Sequence, residues 1–154
     1  MEESLRNALS ELKRAEHSLF VSLKYTRTVD VIKHIVERLI ATIDFSLEVL
    51  LRHAKEHKRI AEVPNISRLR IEAIRALWPE DEQVKAFVDF FLKLRRIEKA
   101  KFDKSQEYRR HVTMTVHLEE GVEQITIDVI QEYFEKTREF VNHVKELIQS
   151  ESND

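Results

Sequence analysis

Glycine and proline are almost missing from this chain, with one Gly (Gly121) and two Pro (Pro64, Pro79) in 154 residues. Average usage would supply roughly ten of the first and seven or eight of the second. Folds made of many tight turns need residues that accept positive φ or preset a turn. An all-β or doubly wound fold is therefore not expected, and neither is a Gly-rich phosphate loop. Cysteine is absent altogether, which removes disulfides and thiolate metal sites and agrees with a cytoplasmic setting. No apolar run approaches the ~18 residues of a membrane span, so no membrane partner is expected. The opening stretch, Met1 to His17, is too acidic for a signal or transit peptide. Four Asn and five Gln stand beside 26 Lys+Arg, a bias shared with thermophile proteins.

What is present is helical patterning and charge. Charged residues make up 35%, hydrophobic residues 42%, and the net charge is −2, so overall charge implies no nucleic acid. One domain spanning residues 1–154 is expected at this length. Leu5, Ala8, Leu9, Leu12, Leu19, Phe20 and Leu23 mark one face of a helix from about Glu2 to Lys24. Tyr25 to Thr28 interrupts it, and Thr28 is placed to cap a second helix with Asp30 in its first turn. Ile32, Ile35, Val36, Leu39, Ile40, Ile43, Leu47, Leu50, Leu51 and Ala54 make an unbroken stripe on that helix to about Lys58. Thirty residues give a rod of about 45 Å, long enough to suggest a second partner for its face and hence a homodimer.

A short helix is expected from Ile66 to Leu77, with Trp78 pushed out of it by the following proline. Pro79 at the first helical position then starts a fourth helix that carries Val84, Phe87, Val88, Phe91, Leu94 and Ile97 to about Asp103. The period next changes to two, with Val112, Met114, Val116 and Leu118 alternating with Thr113, Thr115 and His117. This predicts a small β-hairpin, about 111–118 with 122–127, around a Glu-Glu-Gly turn. A last helix follows from Thr126 to near Gln149, leaving residues 150–154 as a frayed tail. The fold expected is all-α: an up-and-down bundle of four long helices and one short one, with the hairpin before the last helix.

Charge is unevenly placed. Lys93 to His111 holds eight basic residues against three acids, and Glu119 to Asp154 holds ten acids against three basics. Two readings stand side by side: a basic docking surface, or oppositely charged helices lying together. Within the basic stretch Phe102 and Tyr108 are interleaved with cations, the composition of a nucleic-acid or phosphate surface. Cations gathered at a helix C-terminus give much the same sequence.

Catalytic and metal motifs are sparse. His53 and His57 have the i, i+4 spacing of metal ligands, but no Glu follows His53 as in the zinc-protease motif. They are expected to be solvated surface residues, and neither a metal site nor a cofactor is expected. Asp44 borders the stripe of the second helix, where partial burial with an arginine partner is expected. There is no nucleophile elbow and no Walker sequence.

The layout resembles the HEPN superfamily of small helical bundles. The resemblance lies in a helix leading into the Asp30-started apolar helix, a connecting helix pair, and Tyr108-Arg109-Arg110-His111 ahead of a final helix with Ile125-Thr-Ile-Asp-Val-Ile-Gln-Glu-Tyr-Phe. That family includes RNases, toxins partnered by minimal nucleotidyltransferases, and non-catalytic members. The resemblance implies an RNA- or nucleotide-binding protein, with a degenerate metal-independent RNase or toxin-type component among its forms. It also implies a homodimer and a nucleotidyltransferase partner. The family signature, an arginine followed by a histidine after four to six residues, is matched by Arg110 and His117. It implies attack by a ribose 2′-OH with His117 as general acid or base and Arg110 stabilising phosphate charge. Arg95, Arg96, Lys99, Lys101, Arg109 and Arg110 would bind the nucleic acid. The alternative is a non-catalytic dimeric helical module that binds a partner protein.

Overall fold

The computed structural model of the chain describes residues 1–152. Helix α1 (Glu2–His17) passes through a π-helical turn at Ser18–Ser22 into a last turn, α2 (Leu23–Tyr25). Ala15, Leu19 and Leu23 are all buried and recur at fours. Steps of four drift around a 3.6-residue helix, and the wider π turn keeps the three facing inward. Phe20 and Val21 are left facing outward, 47% and 41% exposed.

Helix α3 (Val29–Glu56) is the axis of the molecule. Thr28 caps it as expected, its Oγ1 accepting from the Val31 amide at 3.3 Å. Its apolar stripe is buried from Ile32 to Ala54 except for the half-buried Ile40, packed against α1, α4 (Ser67–Leu77), α5 (Glu82–Lys99) and α6 (Ile127–Ser152). No α3 residue is among the exposed large hydrophobics of the described chain. The length of α3 is thus used within the chain, and the premise for a partner on its face falls away.

The helix ends with Lys58 in the left-handed conformation at φ 60°. Lys58 N–H donates to Lys55 O at 3.0 Å and Arg59 N–H to Ala54 O at 2.8 Å, a Schellman closure with lysine where glycine is usual. Scarcity of glycine therefore does not mean scarcity of left-handed backbone: Gln106 and Tyr108 adopt it too, at 56° and 67°. Gly121, at φ 141°, makes the turn assigned to it.

Several boundaries differ from expectation. Helix α5 starts at Glu82 because Asp81, not Pro79, sets its end: Oδ1 of Asp81 accepts from the Val84 amide at 3.0 Å. Its other end falls at Lys99, since Ala100 turns extended and Lys101–Ser105 forms a strand, β1. The sheet is consequently three-stranded and antiparallel, in the order β1-β2-β3 with β2 at Thr113–Leu118 and β3 at Gly121–Ile125, and the expected two-stranded hairpin is corrected. Lys101 lies opposite His117 and Asp103 opposite Thr115. Met114, Val116 and Ile125 face the core, with Phe102 half-buried beside them. Helix α6 continues past Gln149 to Ser152, because Glu151 is held. Its carboxylate accepts from Trp78 Nε1 and Arg59 Nη1 at 3.1 Å each and lies 3.1 Å from His53 Nε2. That cover makes His53 a buried residue, 1% exposed, rather than the solvated one expected. The remaining tail, residues 153–154, lies outside the described residues.

The protein is thus mainly helical, with a small sheet set beside the α5–α6 end of the bundle. Among the described residues no helix is long and apolar enough to cross a membrane.

Candidate nucleic-acid interface

Helices α4 and α5 follow one another across the Trp78–Asp81 turn and leave a cleft between them. Arg68, Ile71, Glu72 and Arg75 line it from α4 at i, i+3, i+4, i+7, and Leu92, Arg95, Arg96 and Lys99 repeat that spacing on α5. The cleft holds about 410 Å³, within the range of small-ligand sites. Ile71, buried, and Leu92, half-buried, form its floor. Its walls carry five cations against the single carboxylate of Glu72.

Those cations differ in what they touch. Arg68 pairs with Glu72 at 3.4 Å, Arg75 with Asp89 at 3.6 Å, and Arg96 with Glu120 at 3.0 Å. Arg95 lies over the Phe91 ring, 5.8 Å from its centre. Neither Arg95 nor Lys99 has a carboxylate within 4 Å among the described residues. Five positive charges less the three of Glu72, Asp89 and Glu120 leave a net of two, carried by Arg95 and Lys99.

The reading of oppositely charged helices lying together is corrected in one respect: the acids that α5 contacts lie on β3 and the turn before it, not on a facing helix. Arg96 and Lys93 reach into the acidic stretch, Lys93 contacting Glu123 at 2.9 Å. Burial pushes the Glu123 carboxyl up, but hydrogen bonds from Lys93 and from the Tyr133 hydroxyl (2.7 Å) outweigh it and hold it below its ordinary value. Burial and the same carboxylate drive the Tyr133 hydroxyl well above its usual range. Lys93 and Arg96 are therefore engaged by carboxylates of the β2–β3 hairpin, whereas Arg95 and Lys99 face the cleft without one among the described residues.

The six basic residues singled out from the sequence fall into separate places. Arg95, Arg96 and Lys99 line the cleft. Lys101 is exposed at the start of β1. Arg109 and Arg110 lie in the loop beyond the far end of that strand, five residues or roughly 16 Å away. Arg68 and Arg75 complete the cleft and were missed. The matched stripes at 68–75 and 92–99 were the available sign, and each looks like an ordinary solvated helix face until the two helices are brought together.

Arg110 and His117 are not brought together within the chain. Arg110 precedes β2, and His117 sits four positions after its first residue, roughly 13 Å along the strand. His117 instead meets Asp103 across the β1–β2 ladder, Nε2 to Oδ2 at 2.6 Å, on the open face of the sheet. An Asp–His pair of this kind can orient an imidazole for proton transfer.

Other polar groups are structural. Asp44 takes Arg70 as its partner at 3.4 Å, as expected. His17 and His34 line one shallow depression between α1 and α3 together with Arg38. No three His, Asp or Glu side chains among the described residues are grouped to hold a metal ion. Comparison with protein-family models, curated proteins and solved structures finds no match to this chain.

Proposed function

We propose that the protein binds RNA or a nucleotide, gripping its phosphates in the α4–α5 cleft, as a HEPN-like protein of the binding rather than the cleaving kind. The observation that carries this reading is the net positive cleft with an apolar floor. Arg95 and Lys99 stand there without acidic partners among the described residues, and the floor of Ile71 and Leu92 gives a base or sugar something apolar to lie on. Phosphate contacts of this sort supply affinity and little sequence preference. The cleft holds no histidine and no free carboxylate, so it offers retention without an acid–base pair. The cytoplasmic setting and a nucleotidyltransferase partner belong to the same proposal.

A second reading, a homodimeric or protein-binding module, is favoured by one observation. Phe20 and Val21 are turned outward by the π-helical turn of the first helix. Titration of fluorescently labelled single-stranded RNA at low salt separates the two. Binding that weakens at least ten-fold on joint replacement of Arg95 and Lys99 by Gln is expected. Wild type that retains neither RNA nor nucleotide at low salt would leave the interaction module in its place.

A further inference from the structure

The loop between β1 and β2 carries two more cations of the basic stretch, Arg109 and Arg110, and it is built for rigidity. Gln106 and Tyr108 both hold left-handed backbone at 56° and 67° with no glycine between them, a conformation that persists only where surrounding contacts impose it. Three contacts do so here. Tyr108 N–H donates to Arg27 O at 2.7 Å, the Glu107 carboxylate accepts from the Val29 amide at 3.0 Å, and Lys104 Nζ meets Asp30 at 3.0 Å. Together they tie the loop and the end of β1 to Arg27 and the first turn of α3. Yet the Tyr108 ring they position is left 77% exposed.

Tyr25 stands two residues before Arg27 and is 81% exposed. The Tyr108–Arg27 hydrogen bond therefore gathers two of the protein's three tyrosines at one end of the bundle. Lys24, Arg27, Arg109 and Arg110 surround them by position in the chain. The acids of this region are already engaged, Asp30 and Glu107 by Lys104 and Glu107 also by the start of α3. None of those four cations has a carboxylate within 4 Å among the described residues, and Arg27 Nε is buried with no acceptor at all.

We infer that this end of the molecule is a base-stacking site for single-stranded RNA, with Tyr25 and Tyr108 as the ring platforms and Arg109 and Arg110 on the adjoining phosphates. The inference rests on the RNA reading above and narrows it. Cations in a cleft hold any polyphosphate, whereas exposed rings between unpaired guanidinium groups select a strand whose base faces are open. A duplex keeps those faces stacked inside and offers the rings nothing. Lys24, Arg27, Lys104, Arg109 and Arg110 outnumber the two acids Asp30 and Glu107 here, so an electrically balanced protein surface is the poorer occupant.

The test uses the full chain, a short oligoadenylate, and inorganic polyphosphate as a ligand without bases. Replacing Tyr25 or Tyr108 by Leu is expected to weaken oligoadenylate binding about ten-fold each, to leave polyphosphate binding unchanged, and to be rescued by Phe at the same position. Both side chains are exposed, so the substituted proteins are expected to fold, with circular dichroism as the check. Leu substitutions that leave oligoadenylate binding at the wild-type level overturn the stacking site, as does wild type that binds the two ligands equally. Tyrosine substitutions that abolish a dimer in sedimentation while keeping RNA affinity assign the rings to a protein contact and overturn it too. The cleft is judged separately. If replacing Arg95 and Lys99 by Gln weakens neither ligand while the Leu substitutions lose oligoadenylate, the stacking site stands and the cleft does not.

Discussion

Salt dependence offers a quantitative check on how the cleft works. Each phosphate neutralised on a single strand contributes about −0.7 to the slope of log K against log salt. The cleft has five cations but a net charge of two, since Glu72, Asp89 and Glu120 balance three of them. Replacing Arg95 and Lys99 by Gln removes that net charge, so the slope is expected to flatten by about 1.4. Between about 50 and 200 mM salt, the wild type is then expected to lose about seven-fold more affinity than the Arg95/Lys99 double mutant. The control is a balanced deletion: replacing Arg96 and Glu120 together by Gln takes away one ion pair (3.0 Å apart) and no net charge, and the slope is expected to stay where it was. Fluorescence anisotropy of labelled single-stranded RNA, titrated across the salt series with both double mutants, measures each slope. The reasoning is refuted if the Arg95/Lys99 double mutant keeps the wild-type slope, or if the balanced deletion flattens it as much.

Three further outcomes are expected. Asp81→Ala removes the α5 cap and leaves His143, 2.9 Å away, without its acceptor; about 2 kcal/mol is lost, a fall of roughly 4–8 °C in Tm for a chain of this size. Burial pushes the Asp81 carboxyl up, but the Val84 amide and His143 outweigh it, so its folded pKa lies below 3.8. The stabilisation is then complete above that value and disappears as pH falls through the folded pKa, and thermal melts of the two proteins should converge only in strong acid. Lys58→Gly relieves left-handed backbone at the end of α3 and is expected to raise stability by about 0.5–1 kcal/mol in urea unfolding; a loss would mean that the lysine side chain matters more than its backbone. For His117→Ala, RNA incubated with each protein in a chelator decides whether the Asp103-paired imidazole acts: a nuclease mechanism requires a loss of about 10²–10⁴-fold, and equal activity removes His117 from it.

Much of this fold is written in local spacing. The α3 stripe, the Thr28 cap, the exit of Trp78 from helix and the turn at Gly121 each follow from a handful of neighbouring residues, and each is where the pattern puts it. Strand β1 is different. Lys-Phe-Asp-Lys-Ser has one half-buried apolar residue and no alternation, and it continues a helical pattern that runs unbroken to Ile97. It is extended because β2 has an open edge that pairs with it from Lys101 to Ser105, and that edge is a property of Thr113–Leu118. His53 was hidden in the same way, since what buries it is Glu151, 98 positions on.

The candidate sites show why charge is harder to read than hydrophobicity. Burial of an apolar side chain depends mostly on which face of its helix it occupies, and the 3.6-residue period reveals that face. The worth of a cation depends on whether an acid lies within about 4 Å, and no period encodes it. Arg95 and Arg96 are neighbours in sequence and both line the cleft, yet Arg96 pairs with Glu120 and Arg95 with no acid among the described residues. Lys104 and Arg109 belong to the same basic run, yet Lys104 is spent on Asp30 and Glu107 while Arg109 stands beside an exposed tyrosine. A count of charge along the chain treats these residues as one cluster of eight. Their partners divide them into cations already paired with a carboxylate and cations without one among the described residues, and only Arg95, Lys99, Arg109 and Arg110 combine that freedom with a place on the cleft or beside the rings. Those four are where substitution should separate binding from stability.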